Sequence, residues 1–240
     1  MMRGSFPGMQ NRPTEREGVA VAEHHQDAVE VIGACRVIAV LRSQSSSRFA
    51  AVSDVLVAAG IRAVEFTLTT PGAVSALASY ARSAPAGACL GAGTVLTAED
   101  ARRCVGAGAS FLVSPVLVAE VIETAATLGV PVIAGALSPT EILQAHRLGA
   151  AAVKVFPAAV GGPQYIRLVR DPLPAVRMVP TGGVRLENAA DYLAAGSFAL
   201  GTGSNLTGSV FTDGDVDGLR RRAERLIATI SGVPRGPAAA

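Results

Sequence analysis

The feature that most constrains the fold is the regular alternation of short apolar runs with alanine-rich segments. Most of these runs are rich in β-branched residues, which predicts β-strands. In chain order they are RVIAVLR, AVEFTL, CLGAGTV, FLVSPV, PVIAGAL, AAVKVF, RMVPTGG and FALGTG. Strands that alternate with helices favour parallel pairing, and strands apolar throughout favour a sheet covered by helices. Eight such units predict an α/β fold, a (β/α)8 TIM barrel, with an open doubly wound sheet as the alternative.

The segments between these runs carry apolar residues three and four positions apart, as amphipathic helices do. Examples are SRFAAVSDVLVAAG, TAEDARRCVGAG, LVAEVIETAATLG, SPTEILQAHRLG and LENAADYLAAG, each of which ends in glycine. A length of 240 residues is ordinary for one barrel, and we expect a single domain over 17–232 with an N-terminal helical extension. Residues 1–16 are expected to be poorly ordered and residues 233–240 to form a flexible tail.

Composition argues against several classes of partner. The net charge of +2 comes from 21 basic and 19 acidic residues spread along the chain, without the basic stripe of nucleic-acid binders. No apolar stretch is long enough to cross a bilayer, so we expect no membrane partner and a cytoplasmic location. Neither an HExxH motif nor a cysteine cluster is present, so no metal site is predicted. The three cysteines, Cys35, Cys89 and Cys104, are expected to be packing residues.

The chain contains one lysine, Lys154, whereas the other 20 of its 21 Lys and Arg residues are arginine. Lys154 lies in the apolar run AAVKVF, which is a predicted strand. A guanidinium stays protonated, but an amine desolvated by an apolar wall loses its proton more easily and can attack a carbonyl carbon. Lys154 is therefore the predicted nucleophile, with a structural lysine that reaches the barrel mouth or pairs with a carboxylate as the alternative.

Proton transfer needs a second group. The three histidines, His24, His25 and His146, lie in the N-terminal segment or on an outer helix, away from the predicted catalytic end. Glu65, in AVEFTL, is the only acidic residue within a predicted strand and is the candidate general acid–base. The alternative is a buried structural ion pair with Arg42 or Lys154.

Two glycine-containing segments each follow a predicted strand, PTGGV at 180–184 and LGTGSN at 200–205. Barrels commonly bind phosphate in the loops after strands seven and eight, where backbone N–H groups converge on the anion. Gly182, Gly183 and Ser204 are therefore candidate phosphate-binding residues. Tight turns between strand and helix are the alternative explanation of both segments.

The order and spacing of these motifs resemble one known family. VIAVLR, AVEFTLTTPGA, GAGTVLTAED, FLVSP, LSPTE, KVFPA, PTGGV and GTGSNL cover roughly residues 29–206. Together they resemble the bacterial 2-keto-3-deoxy-6-phosphogluconate (KDPG) and 4-hydroxy-2-oxoglutarate (KHG) aldolases. The resemblance implies a class I aldolase that cleaves a 2-oxo acid to pyruvate and an aldehyde through a lysine Schiff base, needs no cofactor and forms a homotrimer.

The resemblance also implies roles for single residues. Lys154 would form the imine and Glu65 would move protons to and from the carbinolamine and the enamine. Thr94 would help to hold the substrate carboxylate, Pro115 and Phe156 would line the pyruvate pocket, and Thr181 would contact the sugar hydroxyls. A terminal phosphate would bind at Gly182, Gly183 and Ser204.

The chain departs from the family pattern at three places. Thr69 stands where the family carries an arginine four residues after the catalytic glutamate, Val116 stands where glycine is usual, and the N-terminal extension has no counterpart. Arg42 directly follows the first predicted strand, so we predict that it binds the carboxylate instead. Two other functions remain open at this point: a phosphosugar isomerase or synthase, and a non-catalytic relative that binds the ligand.

Overall fold

A computed structural model describes residues 28–234, and these residues contain a closed barrel of eight parallel strands. The strands are β1 Val37–Leu41, β2 Ala63–Thr67, β3 Cys89–Gly93, β4 Phe111–Val113, β5 Val132–Ala136, β6 Ala152–Val155, β7 Met178–Pro180 and β8 Leu200–Thr202. Their order is β7-β6-β5-β4-β3-β2-β1-β8, and a parallel bridge between Thr181 and Gly201 joins the two ends. The predicted barrel is confirmed, and the open doubly wound sheet is not observed.

Helices surround the barrel and connect its strands. Residues 28–35 are helical (α1), and the following helices are α2 Phe49–Ala58, α3 Ala73–Ala81, α4 Ala98–Gly106, α5 Ala119–Thr127, α6 Pro139–Arg147, α7 Gly162–Arg170, α8 Leu186–Ala194, α9 Ser204–Thr207 and α10 Val216–Ser231. A short 3-10 helix, Ala158–Val160, precedes α7. The last helix, α10, packs against α2 and α8.

Local sequence signals explain where several helices begin and end. The Thr97 side chain accepts a hydrogen bond from the Asp100 N–H at the start of α4, and Ser138 and Glu141 form a capping box at the start of α6. Both helices are followed by a left-handed glycine, Gly108 at φ 96° and Gly149 at φ 93°. This conformation suits residues without a Cβ atom, so the glycine endings seen in the sequence mark true helix ends.

The interior of the barrel is apolar at its lower end, where the strands begin. Inward side chains from β1 to β7 pack there, together with Ala199 just before β8: Ile38, Ala63, Cys89, Phe111, Val113, Ile133, Ala152, Val179 and Ala199. Ala28 and Ile32 of α1 belong to the same cluster, so α1 closes this end of the barrel. The described helix α1 therefore contributes to the core, whereas the predicted extension, residues 1–16, lies outside the described residues.

The strands are shorter than predicted, mostly at their carboxyl ends. Thr94 was expected within β3, and Ser114 and Pro115 within β4, but all three follow their strands. His146 lies near the C-terminal end of α6 and is exposed on the outside of the barrel, as expected. Residues 1–27 and 235–240 lie outside the described range, so the predicted domain boundaries stay predictions. Within that range, no helix is long and apolar enough to span a membrane.

Candidate active site

Strand alternation brings the predicted site residues to the upper end of the barrel. Val153 and Val155 belong to the outer core between sheet and helices, so Lys154 between them faces the barrel axis. The same alternation turns Glu65 of β2 inward. Both residues lie above the apolar cluster that fills the lower end. The only two charged residues in the eight strands therefore share one enclosed space.

Lys154 is held in an apolar setting. It is 5% exposed, and its Nζ lies 5.5 Å from the centroid of the Phe156 ring, within the range of a cation–π contact. Its side chain forms no hydrogen bond or ion pair with any residue between 28 and 234. The alternative of a lysine paired with a carboxylate is therefore wrong for this part of the chain. The amine is available to a ligand.

Glu65 is more deeply buried, at 2% exposure, and its Oε1 has no hydrogen-bond partner in the described structure. No salt bridge joins it to Arg42 or to Lys154, so the alternative of a structural ion pair with either residue is not observed. A buried carboxylate oxygen without a partner is costly, and native proteins usually keep such a group only where it has a use. Glu65 has the burial and the unused acceptor that a proton carrier inside the site needs.

Arg42 is exposed at the mouth, and two threonines fix the backbone on either side of it. The Thr67 hydroxyl donates to the carbonyl oxygen of Leu41 at 2.7 Å, and the Thr70 hydroxyl accepts from the Ser43 N–H at 3.0 Å. Both threonines are buried. The Arg42 guanidinium forms no hydrogen bond or ion pair with the described residues. These two contacts, and any role for Thr70, were not predicted from the sequence, although the hydroxyl-rich run TLTT was a visible signal.

Thr94 and Pro115 lie at the same rim. Thr94 adopts φ 62°, a left-handed conformation that is rare for a β-branched residue, and its hydroxyl has no partner among the described residues. Pro115 follows β4 and is half-buried. Its carbonyl lies directly over the Cα of Gly135, where any side chain would overlap it. The missing side chain at Gly135 therefore lets the β4–α5 loop approach the axis beside Lys154.

Three backbone N–H groups in the loops after β7 and β8 have no acceptor among the described residues. Gly182 and Gly183 have φ 78° and 97°, and neither their N–H groups nor that of Ser204 bonds to any described residue. Thr181 is buried beside them, in space that Gly201 leaves free. Phe156, which is joined to Pro157 by a cis peptide bond, lies against Gly182. The geometry suits an anion with several oxygen atoms.

No group of three or more His, Cys, Asp or Glu residues within 28–234 is arranged to hold a metal ion.

The four predicted residues Lys154, Glu65, Arg42 and Thr94 all lie on the upper face of the barrel, together with the glycine loops. Sequence reasoning missed the glycines that shape this space, Gly93 and Gly135. Their signal was the occurrence of glycine at inward positions of otherwise apolar strands.

Comparison with known proteins identifies the family. The family model for KDPG and KHG aldolases matches residues 29–221. A probable 2-dehydro-3-deoxy-6-phosphogalactonate aldolase of Rhizobium meliloti is 37% identical over 200 residues, which cover 83% of this chain and 93% of that protein. A 2-dehydro-3-deoxy-phosphogluconate aldolase of Treponema pallidum is 40% identical over 166 residues, 69% of this chain and 79% of that protein.

A solved structure supports the same assignment. The KDPG aldolase of Legionella pneumophila, with pyruvate captured as a covalent carbinolamine intermediate, is 28% identical. The two structures superpose with a TM-score of 0.72, and the aligned region covers 86% of this chain and 97% of the Legionella chain. The isomerase or synthase alternative therefore loses its support. This chain belongs to the KDPG and KHG aldolase family, and it is an aldolase, a carbon–carbon lyase.

Proposed function

We propose that this aldolase cleaves a 2-keto-3-deoxy phosphosugar acid or a 4-hydroxy-2-oxo acid through an imine on Lys154. The observation that carries the proposal is the single buried amine, without any hydrogen-bonding or ionic partner in the described residues, on the axis of an apolar barrel. No described side chain engages this amine, so its lone pair, in the neutral form, can attack the C2 carbonyl. Loss of water from the resulting carbinolamine gives a cationic iminium.

Glu65 then moves protons in this scheme. It takes the proton of the C4 hydroxyl while the C3–C4 bond breaks, and the electron pair of that bond flows into the iminium to give an enamine. The aldehyde leaves. Proton return to C3 and hydrolysis of the iminium release pyruvate and regenerate the Lys154 amine. The iminium is the electron sink, so the scheme needs no cofactor.

Arg42 and Thr94 are the proposed anchors of the pyruvate carboxylate. Arg42 carries a permanent charge on a backbone fixed by two threonine hydroxyls, and its guanidinium has no other partner among the described residues. Arg42 would thus take the role of the family arginine, whose position is occupied by Thr69 in this chain. Pro115 and Phe156 would form the apolar walls around C3 of pyruvate.

The remote end of the substrate would lie against the loops after β7 and β8. The free N–H groups of Gly182, Gly183 and Ser204 support a terminal phosphate there, and Thr181 has a hydroxyl close by for the sugar chain. The two relatives are named for phosphogalactonate and phosphogluconate acids, which differ in the configuration at C4. Both acids are therefore the substrates to test first.

The test is pyruvate release from each of these two phosphorylated acids, from their unphosphorylated forms and from 4-hydroxy-2-oxoglutarate, after exhaustive treatment with EDTA. We expect a phosphorylated acid to give the highest kcat/KM and chelation to leave the rate unchanged. Loss of activity with EDTA that a divalent cation restores would contradict the Schiff-base scheme. Equal rates with and without phosphate would remove the glycine loops from substrate binding.

We propose a homotrimer as the assembly, in line with the resemblance. Val160 is 72% exposed and Leu168 is 59% exposed, and a cavity of about 440 Å³ beside Val160 is lined largely by apolar residues. Such side chains on consecutive segments are typical of a protein contact. Light scattering should give three times the 24.3 kDa chain mass, and Val160→Asp with Leu168→Asp should lower it. A parent protein of monomer mass would refute the trimer.

A cytoplasmic location also stays a prediction.

A further inference from the structure

The carboxylate of Glu65 occupies space that exists only because residue 93 is glycine. In the register of β2 and β3, Glu65 lies opposite Gly91 and Thr67 lies opposite Gly93. The Glu65 side chain thus extends toward the mouth by two residues of β3, from the level of Gly91 to that of Gly93, and crosses the Cα of Gly93. A Cβ atom on Gly93 would have Oε1, Cδ and Cγ of Glu65 as its three nearest neighbours, and it would overlap Oε1.

Gly93 is not required by its backbone conformation. It is absent from the glycines that adopt positive φ, so an alanine could take the same φ and ψ without strain. The two other inward glycines nearby also lack positive φ, but they differ from Gly93 in what an added side chain would meet. A side chain at Gly91 would meet the ring of Phe111, and one at Gly135 would meet the backbone of Pro115. At Gly93 the obstacle is the far end of one flexible side chain, which can move away at low cost.

The carboxylate has little else to fix its position. Oε1 is buried, and no described group donates a hydrogen bond to it. We propose that Gly93 is a positioning residue: its missing side chain forms the slot that orients the Glu65 carboxylate for proton transfer. The inference rests on the proposed role of Glu65. It assigns to Gly93 a function in the reaction and none in the stability of the fold.

The test is the variant Gly93→Ala, assayed by exchange of the pyruvate methyl protons with deuterium oxide, a reaction that needs the imine and the proton carrier. We expect the exchange rate at saturating pyruvate to fall at least about tenfold while the half-saturating concentration changes less than about threefold. The melting temperature should stay near that of the parent protein. Gly106→Ala is the matched control, because a Cβ there meets nothing within 4 Å.

A second substitution separates positioning from general disturbance. Glu65→Asp shortens the side chain by one methylene and should slow the parent protein, but in the Gly93→Ala background it should restore part of the lost exchange. The exchange rate of the double variant should be about tenfold higher than the rate expected if the two single effects multiplied. Single effects that simply multiply, or a Gly93→Ala variant within about twofold of the parent rate, would overturn the proposal.

If Gly93→Ala is unstable, Gly93→Ala combined with Glu65→Ala decides the matter by thermal unfolding. The proposal predicts that the double variant has the same melting temperature as Glu65→Ala alone, because the side chain that would overlap the new Cβ atom at position 93 is gone. Continued instability would overturn the proposal. Failure of the parent protein to exchange pyruvate protons would instead refute the proposed function, so the two failures are distinguishable.

Discussion

The two halves of the barrel interior are built from the same strands but are filled in opposite ways. Below, inward side chains such as Phe111, Ile133 and Val179 pack into an apolar cluster that α1 closes. Above, the inward positions carry Lys154 and Glu65, the only charged side chains of the strands, and glycines beside them. The lower half satisfies its side chains by packing, whereas the upper half leaves an amine and a carboxylate oxygen without partners among residues 28–234.

This difference shows how one alternating pattern serves both stability and chemistry. Barrel enzymes keep their reactive groups at the carboxyl ends of the strands, where loops can reach a substrate, and use the opposite end for stability. If the division holds here, substitutions above should change the reaction more than the fold. Substitutions below should do the reverse.

Lys154→Met tests the upper half with the largest expected effect. Removal of the nucleophile should lower kcat/KM by at least about 10⁴-fold, which corresponds to about 5.5 kcal/mol of transition-state stabilisation. The free energy of unfolding should not fall, because a buried amine without a polar partner among residues 28–234 is replaced by an apolar chain of similar length. Steady-state cleavage and thermal unfolding measure the two effects. A clear drop in melting temperature would contradict the division.

Phe111→Ala is the counterpart in the lower half. Phe111 is fully buried, so its truncation should lower the free energy of unfolding by about 3 to 5 kcal/mol through lost burial and a residual cavity. Activity per folded molecule should remain close to that of the parent. Denaturant unfolding and active-site titration check these two expectations. An inactive but stable variant would mean that the lower cluster also shapes the site.

A pair of arginines sharpens the comparison. Arg42 lies at the mouth, while Arg62 lies before β2 at the opposite end, where it donates to the Gly87 carbonyl at 2.8 Å. Arg42→Ala should cost about 2 to 4 kcal/mol in transition-state stabilisation, as expected for a lost charged hydrogen bond to a bound anion. Arg62→Ala should cost almost nothing. Rates per folded molecule for both variants decide the point, and equal rates would remove Arg42 from the site.

Thr94→Asn has the smallest expected effects, a gain in stability and a loss of pyruvate affinity. The left-handed conformation of Thr94 is strained for a β-branched residue, and asparagine tolerates it better. Relief of this strain should raise the free energy of unfolding by about 1 kcal/mol, while loss of the correctly placed hydroxyl should weaken pyruvate binding. Thermal melting and the half-saturating pyruvate concentration report the two signs. A destabilised variant would show that Thr94 has no strain to release.

The sequence was sufficient to predict the architecture. Strands buried on both faces leave continuous apolar runs, and glycines such as Gly108 and Gly149 mark the helix ends, so all eight strands could be identified. The ends were less accurate: the predicted run continued through Ser114 and Pro115, whereas β4 ends at Val113. Lys154 and Glu65 were identifiable because no other charged residue interrupts a strand.

The supporting contacts could not be predicted in the same way. Thr67 and Thr70 fix the backbone around Arg42 across two strands, and this depends on the stagger between β1 and β2. The position of Glu65 over Gly93 depends likewise on the register between β2 and β3. Hydrophobic periodicity assigns residues to a face of a strand, but it does not give the relative height of neighbouring strands. Contacts between strands therefore needed the structure.

The central claim is that the amine of Lys154 forms an imine with pyruvate, and borohydride reduction tests it most directly. The protein is incubated with pyruvate and sodium borohydride and then analysed by peptide mass spectrometry, with Lys154→Met as the control. The account predicts one stable pyruvate-derived adduct, located on Lys154 and absent from the control and from samples without pyruvate. An unmodified Lys154, under conditions that trap a known Schiff-base aldolase, would contradict the account and favour a relative that binds the ligand without reacting with it.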